Sequence, residues 1–250
     1  MDRPARDQKV REFFSDTEVY LKDNFVTSLR RDVLREMTQG QVYRRVIDVA
    51  CGNGGVTLPL IRRMEHLTLL DLSPAMLAEA RKALPQDPGS QVSFVQGDLM
   101  RIDLPGNHYD LVVCLGLLAH VRDPEEAVSR LAGITAEGGW LLLQNTDAAH
   151  PYSFFVGAWR ALRSMIRRSP YPFNEVKGKE LRAWLAQQGF TEEKRYRSIL
   201  SFLFLSHILS GRNKGWFIRT LFGHPSRPRC QRWGNDEIIL LRKMNIRDGQ

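Results

Sequence analysis

Three aspartates and one turn of small residues have the types and spacing of a ligand-binding site. Residues 46–55 read VIDVACGNGG, an apolar run that carries Asp48 and then breaks into glycines at positions 52, 54 and 55. Glycine lets a backbone approach a ligand closely and adopt conformations that other residues avoid. Asp71 and Asp98 stand in similar places after two later apolar runs. The pattern favours a ligand with a positively charged end over one that carries phosphates.

Two common ligands of glycine-rich turns fit these residues poorly. A triphosphate-binding loop needs a Lys followed by Ser or Thr after the glycines, and the run VACGNGGVTLPL contains no Lys. A dinucleotide site uses G-x-G-x-x-G, whereas the run G-N-G-G-V-T that begins at Gly52 has no third glycine at that spacing. The carboxylate of Asp48 would repel a pyrophosphate, and it suits an ammonium or a sulfonium group.

Apolar strands and amphipathic helices alternate along the chain and must position these groups. Gly40 is predicted to end the first helix, and Ser73 with Pro74 to begin the third. The alternation indicates an α/β fold with a parallel sheet and helices on both faces. The predicted strands are 45–50, 66–72, 91–98, 109–116, 138–146, 191–197 and 235–244, and the predicted helices are 9–37, 56–64, 73–84, 123–134, one within 150–178, and 179–190.

Four motifs in this order resemble those of the class I S-adenosylmethionine-dependent methyltransferases, in particular the small-molecule group that includes the ubiquinone-pathway and methyltransferase-11-like proteins. They are D-V-A-C-G-N-G (48–54), L-L-D-L-S-P-A-M-L (69–77), V-Q-G-D-L (95–99) and Y-D-L-V-V-C-L-G-L-L-A-H-V-R-D-P (109–124). The resemblance covers about residues 44–147 and departs from the family pattern D-x-G-C-G-x-G at Ala50. It implies a doubly wound, Rossmann-like fold with a mostly parallel seven-stranded sheet whose last strand is antiparallel.

The resemblance also implies S-adenosylmethionine as the methyl donor and S-adenosylhomocysteine as the product. In the family, the residue at the position of Asp71 accepts hydrogen bonds from the ribose hydroxyls, and the residue at the position of Asp98 contacts the adenine amino group. Met76 would form a wall for the adenine. A turn-capping Asp48, an exposed turn residue at Asp98 and a core Met76 are the structural alternatives. The predicted donor-binding residues are Asp48, Ala50, Cys51, Gly52, Gly54, Asp71, Leu72, Met76, Asp98, Leu99 and Leu115.

Catalytic side chains are harder to assign, because methyl transfer from a sulfonium needs alignment and exclusion of water more than an acid or a base. His120 follows the fourth strand and is a candidate base or substrate contact; the alternative is a residue that holds its loop. His150 and Tyr152 follow the fifth strand and are expected at the mouth of the site. Many relatives have an acidic residue directly before His120, where this chain has Ala119, so no metal site is predicted.

Three segments outside the predicted donor-binding core, 44–147, are expected to shape the acceptor site. Residues 1–43 would cover the site with helices, 148–178 and 198–234 would form a lid, and 179–197 with 235–250 would complete the core. Both lid segments mix bulky apolar residues with Arg. Phe155, Trp159 and Arg163 are therefore predicted to contact an apolar, anionic small-molecule acceptor, a metabolite or natural product.

The charge distribution keeps other acceptors open. The net charge is +8, with 19 Lys and Arg against 7 Asp and Glu from Arg160 onward, and 17 against 21 before it. A basic last third also fits RNA, above all tRNA, a peptide, or peripheral contact with an anionic membrane that supplies a lipid or isoprenoid acceptor. The apolar lid segments are compatible with a homodimer.

Cellular location is predicted from what the sequence lacks. No apolar run has the length of a membrane-spanning helix, and the first residues have no apolar secretory core. The three cysteines, Cys51, Cys114 and Cys230, are widely spaced and have no metal-binding pattern. A cytoplasmic protein with reduced thiols is expected, with membrane association as the alternative.

Overall fold

The computed structural model of the protein describes residues 25–166, 174–200 and 211–245, with side chains for all of these except 159–166, 211 and 212. Its helices are α1 (Phe25–Met37), α2 (Pro74–Ala83), α3 (Pro124–Ile134), α4 (Pro151–Ile166), α5 (Gly178–Gln187) and α6 (Gly211–Phe222). The strands of its main sheet are β1 (Tyr43–Val49), β2 (Met64–Asp71), β3 (Gln91–Gln96), β4 (Tyr109–Cys114), β5 (Thr135–Thr146), β6 (Phe190–Ser198) and β7 (Asp236–Lys243).

The seven strands form one sheet in the order β3-β2-β1-β4-β5-β7-β6. The pairs among β1 to β5 are parallel, and β7 runs antiparallel to both of its neighbours, β5 and β6. Asp48 lies beside Leu69 of β2 and Val113 of β4, so it stands near the carboxyl ends of three adjacent strands. The predicted doubly wound, mostly parallel sheet with an antiparallel last strand is confirmed.

Both faces of the sheet are buried under helices. Val46 packs with residues of α1, α2 and α6 on one face, while its neighbour Ile47 packs with residues of α3 and α5 on the other. Both side chains are fully buried. This explains why the strands read as continuous apolar runs, since a parallel sheet covered on both faces has no solvent side.

Several predicted helix ends are confirmed. Gly40, which follows α1, has a φ of +80°, a left-handed value that glycine adopts without strain. Ser73 caps α2 by accepting a hydrogen bond from Met76 N at 3.3 Å. Residues 9–24 of the first predicted helix lie outside the described residues.

The prediction of an α-helix at 56–64 was wrong. Only Leu58–Arg63 is helical, and it is a 3₁₀-helix. Met64 already pairs with Tyr43 as the first residue of β2, so the connection has room for a short tight helix and no more.

The two predicted lid segments are irregular compared with the sheet. The first contains α4, after which Val176 forms a bridge with Asp147. The second contains α6, a short hairpin that pairs Gly223–His224 with Arg227–Pro228, and a 3₁₀ turn at Gln231–Trp233. Residues 167–173 and 201–210 of these segments lie outside the described part of the chain. The division into core and lid stays a prediction.

Candidate functional site

The turn after β1 has the backbone shape that the glycine pattern predicts. Ala50, Gly52 and Gly54 have φ values of 59°, 55° and 70°, all in the left-handed region. A Cβ on Gly54 would lie 2.6 Å from Cδ1 of Leu58, too close for any side chain. Ala50 adopts a conformation that is strained for a residue with a Cβ. The turn is therefore tight, and its backbone N–H groups are used within the protein: Gly52 N donates to Asp71 Oδ2 and Gly54 N donates to the Cys51 carbonyl at 3.0 Å.

Asp71 fixes this turn to the end of β2. Its Oδ2 accepts a hydrogen bond from Gly52 N at 2.8 Å, and its Oδ1 accepts one from Ser73 N at 2.8 Å. Burial raises the pKa of this carboxyl group, and the bonds from Ser73 and Gly52 oppose that rise. Each carboxylate oxygen keeps a second lone pair, so the group can still accept bonds from a pair of hydroxyls.

Asp48 is the buried acid of the site. Its side chain is 3% exposed, and its Oδ2 accepts a hydrogen bond from Thr57 Oγ1 at 2.7 Å. Burial raises its pKa to about 7; the Thr57 bond opposes the rise, repulsion from Asp71 adds to it, and the Arg30 guanidinium opposes it. A cation that binds near this buried carboxyl group stabilises its ionised form.

Arg30 of α1 is a site residue that the sequence analysis did not identify. Its Nε donates to Oε1 of Gln144 near the end of β5 at 2.7 Å. Its Nη2 lies 2.5 Å from where a Cβ on Gly116 would be, and Gly116 has a φ of +99°. The guanidinium thus lies against the chain just after β4, at a glycine whose φ disfavours other residues, and close enough to Asp48 to influence its pKa.

A signal for this part of the site was present in the sequence. Gln144 is a polar residue inside the apolar run WLLLQNT, and it is buried. A buried polar side chain needs a hydrogen-bond partner. The run therefore indicated that Gln144 has a hydrogen-bond partner, although it did not identify that partner as Arg30.

The turn after β3 lies against the same edge. Gly97 N donates to the Asp71 carbonyl at 3.0 Å, which joins this turn to the end of β2. Asp98 Oδ1 accepts a hydrogen bond from Met100 N at 3.0 Å, and Oδ2 lies 3.9 Å from Arg101 Nε. Asp98 therefore closes its own turn, and its contact with an adenine stays a prediction.

The apolar residues predicted to bind the donor line the interior of this edge. Met76 is almost completely buried within α2, and Leu72 is half-buried. The Cys51 thiol donates to the Gly52 carbonyl at 3.4 Å, and burial raises its pKa, so it is a packing group here. Cys51, Leu99 and Leu115 are buried. Their contacts with the donor stay predictions.

His120 lies in a turn that a later segment holds in place. Its N–H donates to the Leu117 carbonyl at 2.8 Å, and its side chain is half-buried. Asn174 N donates to the Ala119 carbonyl at 2.9 Å, and Asn174 Nδ2 donates to the Val121 carbonyl. The turn that presents His120 is therefore tied to the segment that follows α4.

His150 has both ring nitrogens engaged. Its Nδ1 accepts a hydrogen bond from Tyr152 N at 3.1 Å, so the proton lies on Nε2, which is 2.9 Å from the Arg232 carbonyl. These bonds join the first turn of α4 to the 231–233 turn. Phe155 points outward and is 60% exposed. The side chains of Trp159 and Arg163 lie outside the described residues, and the roles predicted for these residues and Tyr152 stay predictions.

Metal ligands are not gathered anywhere in the described residues. Within 25–166, 174–200 and 211–245, no three His, Cys, Asp or Glu side chains are close enough together to hold a metal ion.

Comparison with known proteins agrees with this geometry. The family described as "Methyltransferase domain" matches residues 47–143. The ubiquinone biosynthesis O-methyltransferase of Nitrosomonas europaea is 28% identical over 172 residues, which cover 67% of this chain and 72% of that protein. The protein of the same name from Bordetella bronchiseptica is 30% identical over 169 residues, covering 66% of this chain and 69% of that protein.

Among solved structures, magnesium protoporphyrin IX methyltransferase from Synechocystis, with bound S-adenosylhomocysteine, has a TM-score of 0.66 at 16% identity. The match covers 95% of this chain and 99% of that chain. The likeness shows that the two proteins share a fold. The family match of residues 47–143 contains the glycine turn, Asp48, Asp71 and Asp98.

Proposed function

Because the chain belongs to the class I S-adenosylmethionine-dependent methyltransferases, we propose that it methylates an apolar small molecule that carries an anionic group. S-Adenosylmethionine supplies an electrophilic methyl group on a sulfonium. The reaction is an in-line displacement in which a bond from the acceptor to the methyl carbon forms as the sulfur–methyl bond breaks, leaving S-adenosylhomocysteine. The protein has to align the acceptor and exclude water.

The residues of the turn after β1 fit this donor. Asp71 is held by two backbone N–H groups and keeps lone pairs for two ribose hydroxyls. Gly52 and Gly54 give the turn its left-handed backbone, and Leu58 packs directly against Gly54 where a Cβ would clash, so the turn holds a compact shape beside Asp71. A phosphate would meet Asp48 and Asp71 together, so the same charges that suit a sulfonium disfavour a phosphorylated coenzyme.

Arg30 and Asp48 fit the amino-acid end of the donor. We assign the donor carboxylate to the Arg30 guanidinium and the ammonium group to the side of Asp48. The support is their shared position: both lie at the carboxyl edge on the α1 face, and Gln144 orients the guanidinium. A planar guanidinium binds a carboxylate through two parallel hydrogen bonds.

The acceptor class is supported by the character of the elements at this edge. The chain around the end of β4 is apolar, with Leu115 and Leu118 buried, and α4 begins directly after β5 with no acidic residue in its sequence. The apolar chain after β4, together with an α4 sequence that contains arginines and no acidic residue, is the observation that supports the proposal. The names of the Nitrosomonas and Bordetella relatives refer to ubiquinone biosynthesis and O-methylation, which supports a hydroxyl as the acceptor group.

A hydroxyl acceptor gives His120 a role. It would accept the hydroxyl proton as the oxygen–carbon bond forms, since a phenol or alcohol is a weak nucleophile while protonated. His120→Ala is expected to lower kcat about 100-fold with little change in the donor KM. His108→Ala, at the opposite edge of the sheet, is the matched control. An equal loss in both variants, or no loss in His120→Ala, would contradict the assignment.

A methyl-transfer assay with labelled donor tests the proposal. The acceptor panel would contain apolar phenols and carboxylic acids, each with a variant that lacks the anionic group, together with tRNA and peptide pools. We expect transfer to apolar phenols and a preference for the anionic forms. Transfer to tRNA or peptides alone would overturn the acceptor class while leaving the methyltransferase family unaffected.

A further inference from the structure

Three large aromatic side chains project from the protein near the start of α4. Phe154, Phe155 and Trp233 are 73%, 60% and 63% exposed. On α4, the neighbouring Ser153 and Val156 are buried and face the body of the protein. The two phenylalanines therefore lie on the outward face of the helix. Burying such side chains would be favourable, so their exposure indicates a surface that contacts another phase or molecule.

These aromatic residues belong to one surface because two hydrogen bonds join their elements. His150 Nε2 lies 2.9 Å from the Arg232 carbonyl, and Asn235 Nδ2 donates to Ser153 Oγ at 3.0 Å. The first turn of α4 and the 231–233 turn are therefore neighbours. Both lie at the carboxyl edge of the sheet, since α4 follows β5 and Asn235 precedes β7.

The sequence segments that carry these aromatic residues are basic. Residues 148–174 and 198–235 contain ten Lys and Arg and not one Asp or Glu. Arg229 and Arg232 are exposed, and the Arg232 guanidinium lies 5.8 Å from the centre of the Trp233 ring. Arginine beside tryptophan is a combination suited to the boundary between lipid headgroups and acyl chains.

We propose that Phe154, Phe155, Arg229, Arg232 and Trp233, here called the aromatic–arginine surface, bind an anionic lipid bilayer. The aromatic rings enter the headgroup region, and the arginines pair with lipid phosphates. No helix within the described ranges has the length and apolar character to cross a bilayer. This contact does not depend on the identity of the methyl acceptor.

Two other occupants fit the surface less well. The Phe154 and Phe155 rings meet edge to face at 77°, an arrangement that presents no pair of parallel faces for stacking on successive bases of RNA. A second copy of the chain would bring the same excess of positive charge to the interface. An anionic bilayer offers phosphates to the arginines and an apolar region to the aromatic side chains.

Vesicle flotation with the full chain tests the proposal. We expect binding to phosphatidylcholine vesicles that contain about 30 mol% phosphatidylglycerol and much weaker binding to pure phosphatidylcholine. Phe154→Ser and Trp233→Ser are each expected to weaken binding about tenfold. Arg229→Gln and Arg232→Gln are each expected to weaken it about fivefold.

Matched controls come from the opposite edge of the sheet. Val42 is an exposed apolar residue and Arg44 an exposed basic one, so Val42→Ser and Arg44→Gln should leave vesicle binding unchanged. Donor affinity, measured by calorimetry, reports whether each variant is folded. Equal binding to both kinds of vesicle, equal loss in the control variants, tighter binding to single-stranded RNA than to vesicles, or a stable dimer broken by Phe154→Ser would each overturn the proposal.

Discussion

At the scale of single residues, the ionisation of Asp48 determines how strongly the site attracts a cation. Its pKa of about 7 lies above its ordinary value because the group is buried. The unfolded chain ionises this group at lower pH, so its contribution to the free energy of unfolding falls as the pH rises from about 4 to about 7. Donor binding has the opposite dependence, since the ionised form attracts the ammonium and sulfonium groups.

This gives a prediction for donor affinity. The affinity for S-adenosylmethionine should rise about tenfold between about pH 6 and about pH 8, as Asp48 changes from mostly protonated to mostly ionised. Titration calorimetry at the two pH values measures it. Asp48→Asn should bind weakly and with a flat pH dependence; an unchanged slope in that variant would assign the effect to another group.

Arg30 gives a second prediction at this scale. Arg30→Ala should raise the dissociation constant for the donor about 10- to 100-fold, because a charge-assisted hydrogen bond to the donor carboxylate is lost. The neighbouring Arg31→Ala, on the same helix, is the control and should change it little. Calorimetry with S-adenosylhomocysteine, which carries the same carboxylate, makes the comparison independent of turnover. Equal effects at both positions would remove Arg30 from the site.

The two halves of the site differed in how far the sequence could predict them. The bond of Asp71 to the glycine turn follows from a local motif. The carboxyl ends of β1 and β2, which are consecutive parallel strands, meet at one edge of the sheet. The Arg30–Gln144 contact joins residues 114 positions apart, and it depends on how α1 packs over the sheet. No local pattern encodes that packing. The sequence therefore could not distinguish Arg30 from the other basic residues of the same amphipathic helix.

At the scale of elements, α1 is held over the site by α6. Leu29 and Val33 of α1 and Ile218 and Phe222 of α6 belong to the same buried cluster. Asp32 pairs with Arg219 of α6 and lies 3.2 Å from Arg35. The ion pair therefore orients the helix that carries Arg30, which lies two residues before Asp32.

Asp32→Asn should accordingly affect both stability and donor binding. We expect the free energy of unfolding to fall by about 1 kcal/mol, a modest loss because Arg219 is partly solvated. The donor KM should rise more than kcat falls, since α1 and Arg30 lose their fixed position. Glu79→Gln, which removes an exposed pair with Lys82 on α2, is the control and should change neither. Denaturant unfolding and initial rates test this, and an effect on kcat alone would count against it.

Element boundaries were predictable where capping residues mark them and less so elsewhere. Ser73 and Gly40 mark helix ends through their own backbone preferences. The segment 56–64 has helical spacing, yet the pairing of Met64 with Tyr43 begins β2 there and Thr57 uses its hydroxyl on Asp48. Sheet pairing therefore outweighed local helical preference.

At the scale of the whole molecule, Glu237 of β7 joins the antiparallel strands β6 and β7 to helix α5. Its side chain is 0% exposed and lies 3.0 Å from Arg197, 3.6 Å from Arg182 and 3.9 Å from Arg195. Arg197 also lies 3.8 Å from Asp147, which accepts a hydrogen bond from the first residue of α5. One buried carboxylate thus holds together α5, β6 and β7.

Removing that charge should destabilise the whole fold. Glu237→Gln is expected to lower the free energy of unfolding by about 3 kcal/mol, because the three arginines lose their shared buried counter-charge. Glu65→Gln, which breaks an exposed pair with Arg44, should cost less than about 0.5 kcal/mol. Urea denaturation of the two variants makes the comparison. Similar small losses would mean that solvent screens the Glu237 cluster.

The architecture at this scale was predictable because five apolar strands follow one another between 45 and 146, and predicted helices follow the first, second and fourth of them. The placement of α4 beside the 231–233 turn was not, since it depends on contacts such as that of His150 with Arg232. Such contacts join segments about 80 residues apart and leave no periodic trace in the sequence.

The position of β7 has a consequence for biosynthesis. It is the last of the seven strands to leave the ribosome, yet it pairs on both sides, between β5 and β6. Until it emerges, β5 keeps an unpaired edge and β6 has no neighbour in the sheet. An unpaired apolar strand edge invites pairing with other chains. Slow translation before Asp236 would therefore lengthen the time in which nascent chains can aggregate, and chaperones that shield such edges would act in that interval.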